Sequence, residues 1–277
     1  MKKVYLLPNI ITAFALSCGL FAIFKMSMIE AGNVSYADLT FVVGILLIAA
    51  FADVIDGAIA RILKAQSEFG EIFDSLSDAI TFGVAPSVVI LKTLSVPPGT
   101  DMSYFITAAA MIFSICGVLR LARFNSSLHA APANQEQDKS KNFTGLPIPA
   151  GAAAALSGNL FLISPEFSNL VTISPETRTW ILFGMFIVLG YFMISRWKFP
   201  SVKSLHIRVA SFQLVFLTVL SAVFVFYGIL HHFAVVFFVI SWTYVVTAWV
   251  LSMIRVISGK RSQMLIDYEP DPDDLEG

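Results

Sequence analysis

Apolar stretches long enough to cross a bilayer follow one another along nearly the whole chain, at roughly 8–29, 38–63, 71–95, 102–124, 144–165, 177–195, 207–229 and 232–256. Short polar breaks separate them. A membrane-crossing helix needs about 20 mostly apolar residues. The pattern therefore predicts an all-α integral membrane protein, a bundle of about eight transmembrane helices. The longest polar breaks are 125–143 (NSSLHAAPANQEQDKSKNF) and 166–176 (EFSNLVTISPE). Met1-Lys2-Lys3 precedes an apolar stretch longer than a typical signal core, which reads as a retained first helix.

The basic residues orient this bundle. With the N-terminus in the cytoplasm, fifteen of the eighteen Lys and Arg fall on inside loops and ends, and only Lys25, Lys92 and Arg178 fall outside. By the positive-inside rule both termini are expected in the cytoplasm. Trp180, Trp197 and Trp242 are placed near span ends, as an interfacial belt would have them. The chain divides into a membrane domain over 1–261 and a tail over 262–277. That tail carries Asp267, Glu269, Asp271, Asp273, Asp274 and Glu276 with two prolines, a composition expected to stay disordered.

Composition agrees with this reading. Of 277 residues, 57% are hydrophobic and 13% charged, and the mean hydropathy is +0.78, which leaves little room for a soluble domain. The net charge of −1 and the lack of a basic run with interleaved aromatics argue against nucleic-acid binding. Cys18 and Cys116 sit far apart in apolar segments and read as packing residues. His129, His206, His231 and His232 have no metal-like spacing with the acids and read as structural.

One stretch contradicts the apolar pattern. In AAFADVIDGAIARILKAQSEFGEIFDSLSDAITFG, residues 49–83, Asp53, Asp56, Asp74 and Asp78 lie within or beside apolar helices. At about 100° per residue, Asp53, Asp56, Gly57 and Ala60 share a face of the second helix, and Asp74 and Asp78 share one of the third. An Asp near the centre of a spanning helix costs roughly 2.5–3.5 kcal/mol, so four need compensation. Arg61 and Lys64 are the only local cations, too few for five acids when Glu71 is counted. Oxygen-rich clusters of this kind suit Mg²⁺ or Mn²⁺, which leave positions open for phosphate oxygens. Gly57, Ala60 and Gly70 remove side chains beside the acids and let a ligand approach the backbone. Tight helix packing accounts for any one of these small residues alone.

The order Asp53-x2-Asp56-Gly57-x2-Ala60-Arg61-x8-Gly70-x3-Asp74-x3-Asp78 resembles the signature of the CDP-alcohol phosphotransferase family at all eight positions. The resemblance implies a homodimeric, all-helical enzyme of the cell membrane, with its active site facing the cytosol and two divalent metals in each site. Carried onto this chain, it makes Asp53, Asp56 and Asp74 metal ligands and Asp78 both ligand and general base. From the residues alone Asp74 and Asp78 are equivalent candidates. Gly57, Arg61 and Ser67 would contact the CDP portion of the lipid, with Ala60 and Gly70 beside it. Asn9 and Thr12 would line the same site, although Pro8-Asn9 also reads as a simple helix start.

Three further stretches resemble the phosphatidylserine synthase branch of that family: Leu7 to Thr12, Arg120 to Asn125, and Asn142 to Ala150. A looser likeness covers Ser195 to Lys203. The branch implies CDP-diacylglycerol and L-serine as substrates, with phosphatidylserine and CMP as products. Apolar helix faces accept diacyl and isoprenoid ether chains alike, so CDP-archaeol is an equal candidate donor. Arg120 and Arg123 are candidates for the serine carboxylate or a lipid phosphate, against plain positive-inside anchoring. The nearest alternative is a synthase of phosphatidylglycerol phosphate or of an inositol lipid phosphate, whose phosphate-bearing acceptor would favour a further basic cluster. A cation-coupled secondary transporter would show related halves and a midplane site, and this sequence shows neither.

Overall fold

The computed structural model describes residues 6–63, 67–129, 142–195, 198–200, 228 and 231–257. Its architecture is helical apart from one pair of short strands. In chain order the elements are α1 (Leu6–Ser27), α2 (Tyr36–Ile62), α3 (Glu68–Asp78), a π-helical segment (Ala79–Val84), α4 (Ala85–Lys92) and α5 (Asp101–His129). After these come β1 (Asn142–Thr144), α6 (Ile148–Ile163), the short α7 (Pro165–Leu170), α8 (Pro175–Ile194), β2 (Lys198–Pro200) and α9 (Phe233–Ile257).

Among the described residues six helices are long and apolar enough to cross a membrane, with α3, the π segment and α4 forming one of them over Glu68–Lys92. The expected span at 144–165 is shorter than a full crossing: α6 is an apolar helix of 16 residues. Prolines explain both of its ends. Pro147 and Pro149 hold its start, and Ser164 stops it by capping α7, whose Pro165 sits at the first helical position. The expected span at 207–229 and the acidic tail lie outside the described residues, apart from Gly228.

Local chemistry sets the remaining starts. Ser35, Ser67 and Ser174 each accept a hydrogen bond from a backbone N–H three residues on, the usual N-cap arrangement. The interior is packed in two apolar groups. In the larger, Phe113 of α5 and Phe186 of α8 are fully buried with ring centroids 5.3 Å apart. The smaller joins Met26 of α1, Leu39 and Val42 of α2, and Leu160 of α6. Cys18 and Cys116 are buried free thiols, in line with a packing role.

α1 packs on α2, α3, the π segment and α4. A Cβ at Gly19 would lie 2.5 Å from Thr81 Oγ1 and 2.9 Å from Thr81 Cα, so only glycine lets α1 approach the π segment this closely. At the other side, β1 and β2 pair antiparallel, with Phe143 opposite Phe199. Gly145 follows with φ +82°; a Cβ there would collide with Met193 O, and Leu146 N donates to Phe192 O at 3.0 Å. Two stretches remote in sequence, 142–146 and 198–200, thus meet near the end of α8.

One residue of the expected aromatic belt sits elsewhere. Trp242 lies well inside α9, and its indole N–H donates to Ala154 O at 3.2 Å. It locks α9 to α6. Trp180 is half-exposed near the start of α8, as expected, and Trp197 is outside the described residues.

Candidate active site

The last turns of α2 and the second half of α3 bring the acids together. One carboxylate oxygen each from Asp53, Asp56 and Asp74 lie within 4.8 Å of one another. Asp53 is also within hydrogen-bonding reach of Asp78, so all four aspartates form one cluster. Asp56 is nearly fully buried and the other three are partly so. Among the described residues none of the four is in an ion pair with a basic side chain.

The donor set fits a divalent cation. Asp74 Oδ1 is buried with no hydrogen-bond partner, a costly state for a carboxylate oxygen unless a cation meets it. The local cation named as a possible counter-charge does not serve: Arg61 is exposed, and its Nε donates at 2.9 Å to Gly57 O, one turn back along its own helix. Lys64 lies outside the described residues. Hard oxygen ligands at this spacing suit Mg²⁺ or Mn²⁺.

α1 completes the site. Thr12, buried, donates from Oγ1 to Asp56 Oδ2 at 2.5 Å and lies 3.1 Å from Pro8 O. Ser77 Oγ donates to Thr12 O at 3.4 Å, which ties α3 to the same turn. Asn9 reaches the start of α3, where a Cβ on Gly70 would lie 3.2 Å from Asn9 Oδ1 and 3.1 Å from Ser67 Oγ. Ser67 Oγ accepts the Gly70 N–H at 3.1 Å. Asn9, Thr12, Ser67 and Gly70 therefore stand together with the acids. Gly57 is exposed, and a Cβ added there would meet nothing within 4 Å, so the space beside Asp56 is open. Ala60 is half-buried on the same helix.

The two arginines of α5 separate. Arg120 is buried, its Nε has no acceptor among the described residues, and Arg123, Asp78 and Tyr244 are among its ionisable neighbours. Arg123 donates from Nη1 to Ile194 O at 2.9 Å, beside Gly145, and so supports the end of α8. Asn125 Nδ2 donates to Ser75 Oγ at 2.8 Å and pins α5 to α3 next to Asp74.

The π segment directly after Asp78 is a part of this site that sequence reasoning missed. A π turn inside a helix shifts the side chains that follow it and is frequent at functional sites. No local residue pattern in Ala79–Val84 announces it.

Chain-wide comparisons agree with this geometry. The family model for CDP-alcohol phosphatidyltransferase matches residues 5–249. A Helicobacter pylori (strain J99) protein named CDP-diacylglycerol–serine O-phosphatidyltransferase is 32% identical over 270 residues, covering 94% of this chain and 98% of that one. A Bacillus subtilis (strain 168) protein of the same name is 32% identical over 197 residues, covering 71% and 91%. A third, from Methanocaldococcus jannaschii, is 30% identical over 200 residues, covering 72% and 76%.

Proposed function

The chain belongs to the CDP-alcohol phosphatidyltransferase family, and from that membership we propose that it transfers the phosphatidyl group of a CDP-lipid to L-serine. The products are phosphatidylserine and CMP. The observation that carries this reading is the clustering of Asp53, Asp56 and Asp74 carboxylates around one point, in a chain whose full-length relatives bear that name.

Asp53, Asp56 and Asp74, with Asp78, would hold two divalent metals, Mg²⁺ or Mn²⁺. Bound there, the metals supply charge neutralisation at the phosphates and at the attacking and leaving oxygens. The chain's own residues do the rest. Asp78 removes the proton of the serine hydroxyl, the oxygen forms a bond to the lipid-side phosphorus, and the bond from that phosphorus to the CMP oxygen breaks. Thr12 holds Asp56 in position. Arg120, buried with Asp78 among its ionisable neighbours, receives the serine carboxylate. Gly57, Ala60, Arg61, Ser67, Gly70 and Asn9 border the CDP portion, with Gly57 leaving room for it. CDP-diacylglycerol and CDP-archaeol are both accommodated.

The reading extends to placement. The protein is a homodimer of the cell membrane with about eight spans, both termini in the cytoplasm and the aspartates toward the cytosol. Support comes from where the basic residues lie. Lys25, Lys92 and Arg178, the three assigned outside, sit at the ends of α1 and α4 and the start of α8, away from the acids. Residues 262–277 form a separate acidic tail.

Metal-dependent CMP release from the purified protein tests the proposal, with serine, glycerol 3-phosphate, inositol phosphate and no acceptor side by side. Release with serine is the expected result. Release with glycerol 3-phosphate but not serine would move the chain to another branch of the family.

A further inference from the structure

At the end of the bundle away from the aspartates, Arg178 of α8 is held without a carboxylate. Its Nη1 donates to Thr93 O at 3.1 Å, and its Nη2 donates to Thr93 Oγ1 and Asn159 Oδ1, each at 2.8 Å. Those bonds fix the guanidinium in direction but leave its charge unneutralised. Among the described residues its Nε is buried with no acceptor, and the Nδ2 of Asn159, itself fully buried, has none either. Among the described residues Arg178 forms no ion pair.

Arg178 lines a cavity of about 350 Å³ whose other polar walls are Ser95, Ser168 and Thr172, with no carboxylate among its lining residues. From Asp78 to Thr93 the α3–α4 helix rises roughly 20 Å at about 1.5 Å per residue. The cavity is therefore at the opposite membrane surface from the acids. A second, apolar cavity of about 240 Å³ adjoins it, sharing Leu162. Ile181 and Met185 of α8 line this second cavity and fall on the same helical face as Arg178, at spacings of three and seven. Phe238 and Trp242 of α9 form its far wall, held by a stacked Phe161–Phe238 pair with centroids 4.5 Å apart and by the Trp242 bond to Ala154 O. A cationic, hydroxyl-lined pocket thus lies beside an aromatic and aliphatic one, with Leu162 between them.

We propose that these neighbouring cavities bind a phospholipid with an anionic headgroup from the leaflet opposite the aspartates, its phosphate at Arg178 and part of a chain between α6, α8 and α9. A free phosphate would satisfy Arg178 yet leave the apolar cavity unused. The lipid fills both.

The test is thermal unfolding of the purified full-length protein in detergent with EDTA, which keeps metal-bridged anions from the aspartates. Phosphatidylglycerol, phosphatidylcholine and inorganic phosphate are titrated separately. Phosphatidylglycerol should raise the melting temperature, and the other two should not. Arg178→Gln should raise the half-effective phosphatidylglycerol concentration about tenfold, as loss of a charge-assisted hydrogen bond implies, while Arg178→Lys retains most of the effect. Ile181→Trp, at a half-exposed position that tolerates bulk, should weaken the response with Arg178 intact, and it decides the matter if Arg178→Gln does not fold. Equal stabilisation by inorganic phosphate or by phosphatidylcholine overturns the proposal. So does an unchanged response in Ile181→Trp together with Arg178→Gln.

Discussion

Replacing Thr12 with valine separates two roles for α1, because valine keeps the shape of threonine and removes only its hydroxyl. In the structure that hydroxyl has one proton and two acceptors, Asp56 Oδ2 at 2.5 Å and Pro8 O at 3.1 Å. The nearer acceptor carries the charge, so the proton belongs to Asp56. A hydrogen bond to a charged group contributes about 1.5–3 kcal/mol, and at about 1.4 kcal/mol per tenfold this is roughly 10- to 150-fold in an equilibrium constant. Partners that orient a metal-binding side chain typically change metal affinity about 10- to 100-fold, in the same range. Thr12→Val should therefore raise the metal concentration for half-maximal CMP release about 10- to 100-fold. At saturating metal its rate should stay within about threefold of the parent, since the cost then falls on binding. Thr12→Ser should restore the metal dependence. The assay is initial CMP release against Mg²⁺ or Mn²⁺ at saturating lipid and serine. A metal curve that overlays the parent's would refute the orienting role. A rate that collapses at every metal concentration, with an unmoved midpoint, would place the hydroxyl on the substrate instead.

Asp78→Asn should bind the CDP-lipid nearly as well as the parent yet lose transfer by about 10²- to 10⁴-fold, the usual share of a general base; full activity would remove that role. Gly19→Ala should destabilise the protein by about 1–3 kcal/mol in thermal unfolding, because its Cβ would press on Thr81 Cα, a backbone atom that cannot move aside. An unchanged melting temperature would mean that α1 and the π segment are not in close contact. Glu166, between spans, accepts a hydrogen bond from His232 Nδ1 at 3.0 Å, which holds its carboxyl below the usual range. A lowered folded-state value stabilises above the unfolded pKa of about 4.3 and is lost as pH falls through the folded value. Glu166→Gln should thus cost up to about 1 kcal/mol at pH 6 and progressively less as pH falls through the folded value, as read from melting temperatures across that range.

The aspartate cluster was legible because a carboxylate in an apolar helix is expensive, so four at helical spacing in adjacent spans announce a ligand before any geometry is known. Hydropathy likewise carried most of the spans. What the sequence does not encode locally is who supports the acids. Thr12 and Asp56 are 44 positions apart, and nothing in Thr12's neighbourhood distinguishes a carboxylate donor from an ordinary helix-start threonine. Arg120 and Arg123 look equivalent as a pair of basic residues at one helix end. Helix rotation decides between them, burying Arg120 and bringing Arg123 to the Ile194 carbonyl. α6 begins later than the apolar stretch for a different reason: hydropathy does not count the prolines and the positive-φ glycine that keep residues 145–147 out of the helix.

Arg178 was an exception to the charge rule and became informative for that reason. Of the three basic residues that the charge rule assigns to that side, Lys25 pairs with Asp38 at 3.6 Å and Lys92 caps α1 through Ser27 O and Ile29 O. Both sit where flexible ammonium groups can reach water or a helix end. Arg178 is different, since three of its hydrogen bonds go to neutral acceptors buried between α4, α6 and α8. Neutral acceptors orient a guanidinium but do not balance its charge, and a charge turned toward a cavity at a bilayer surface meets phosphate before it meets anything else. The two ends of the bundle thus present opposite problems. At one, acids gathered without cations call for metal; at the other, a cation fixed without an acid calls for a lipid phosphate.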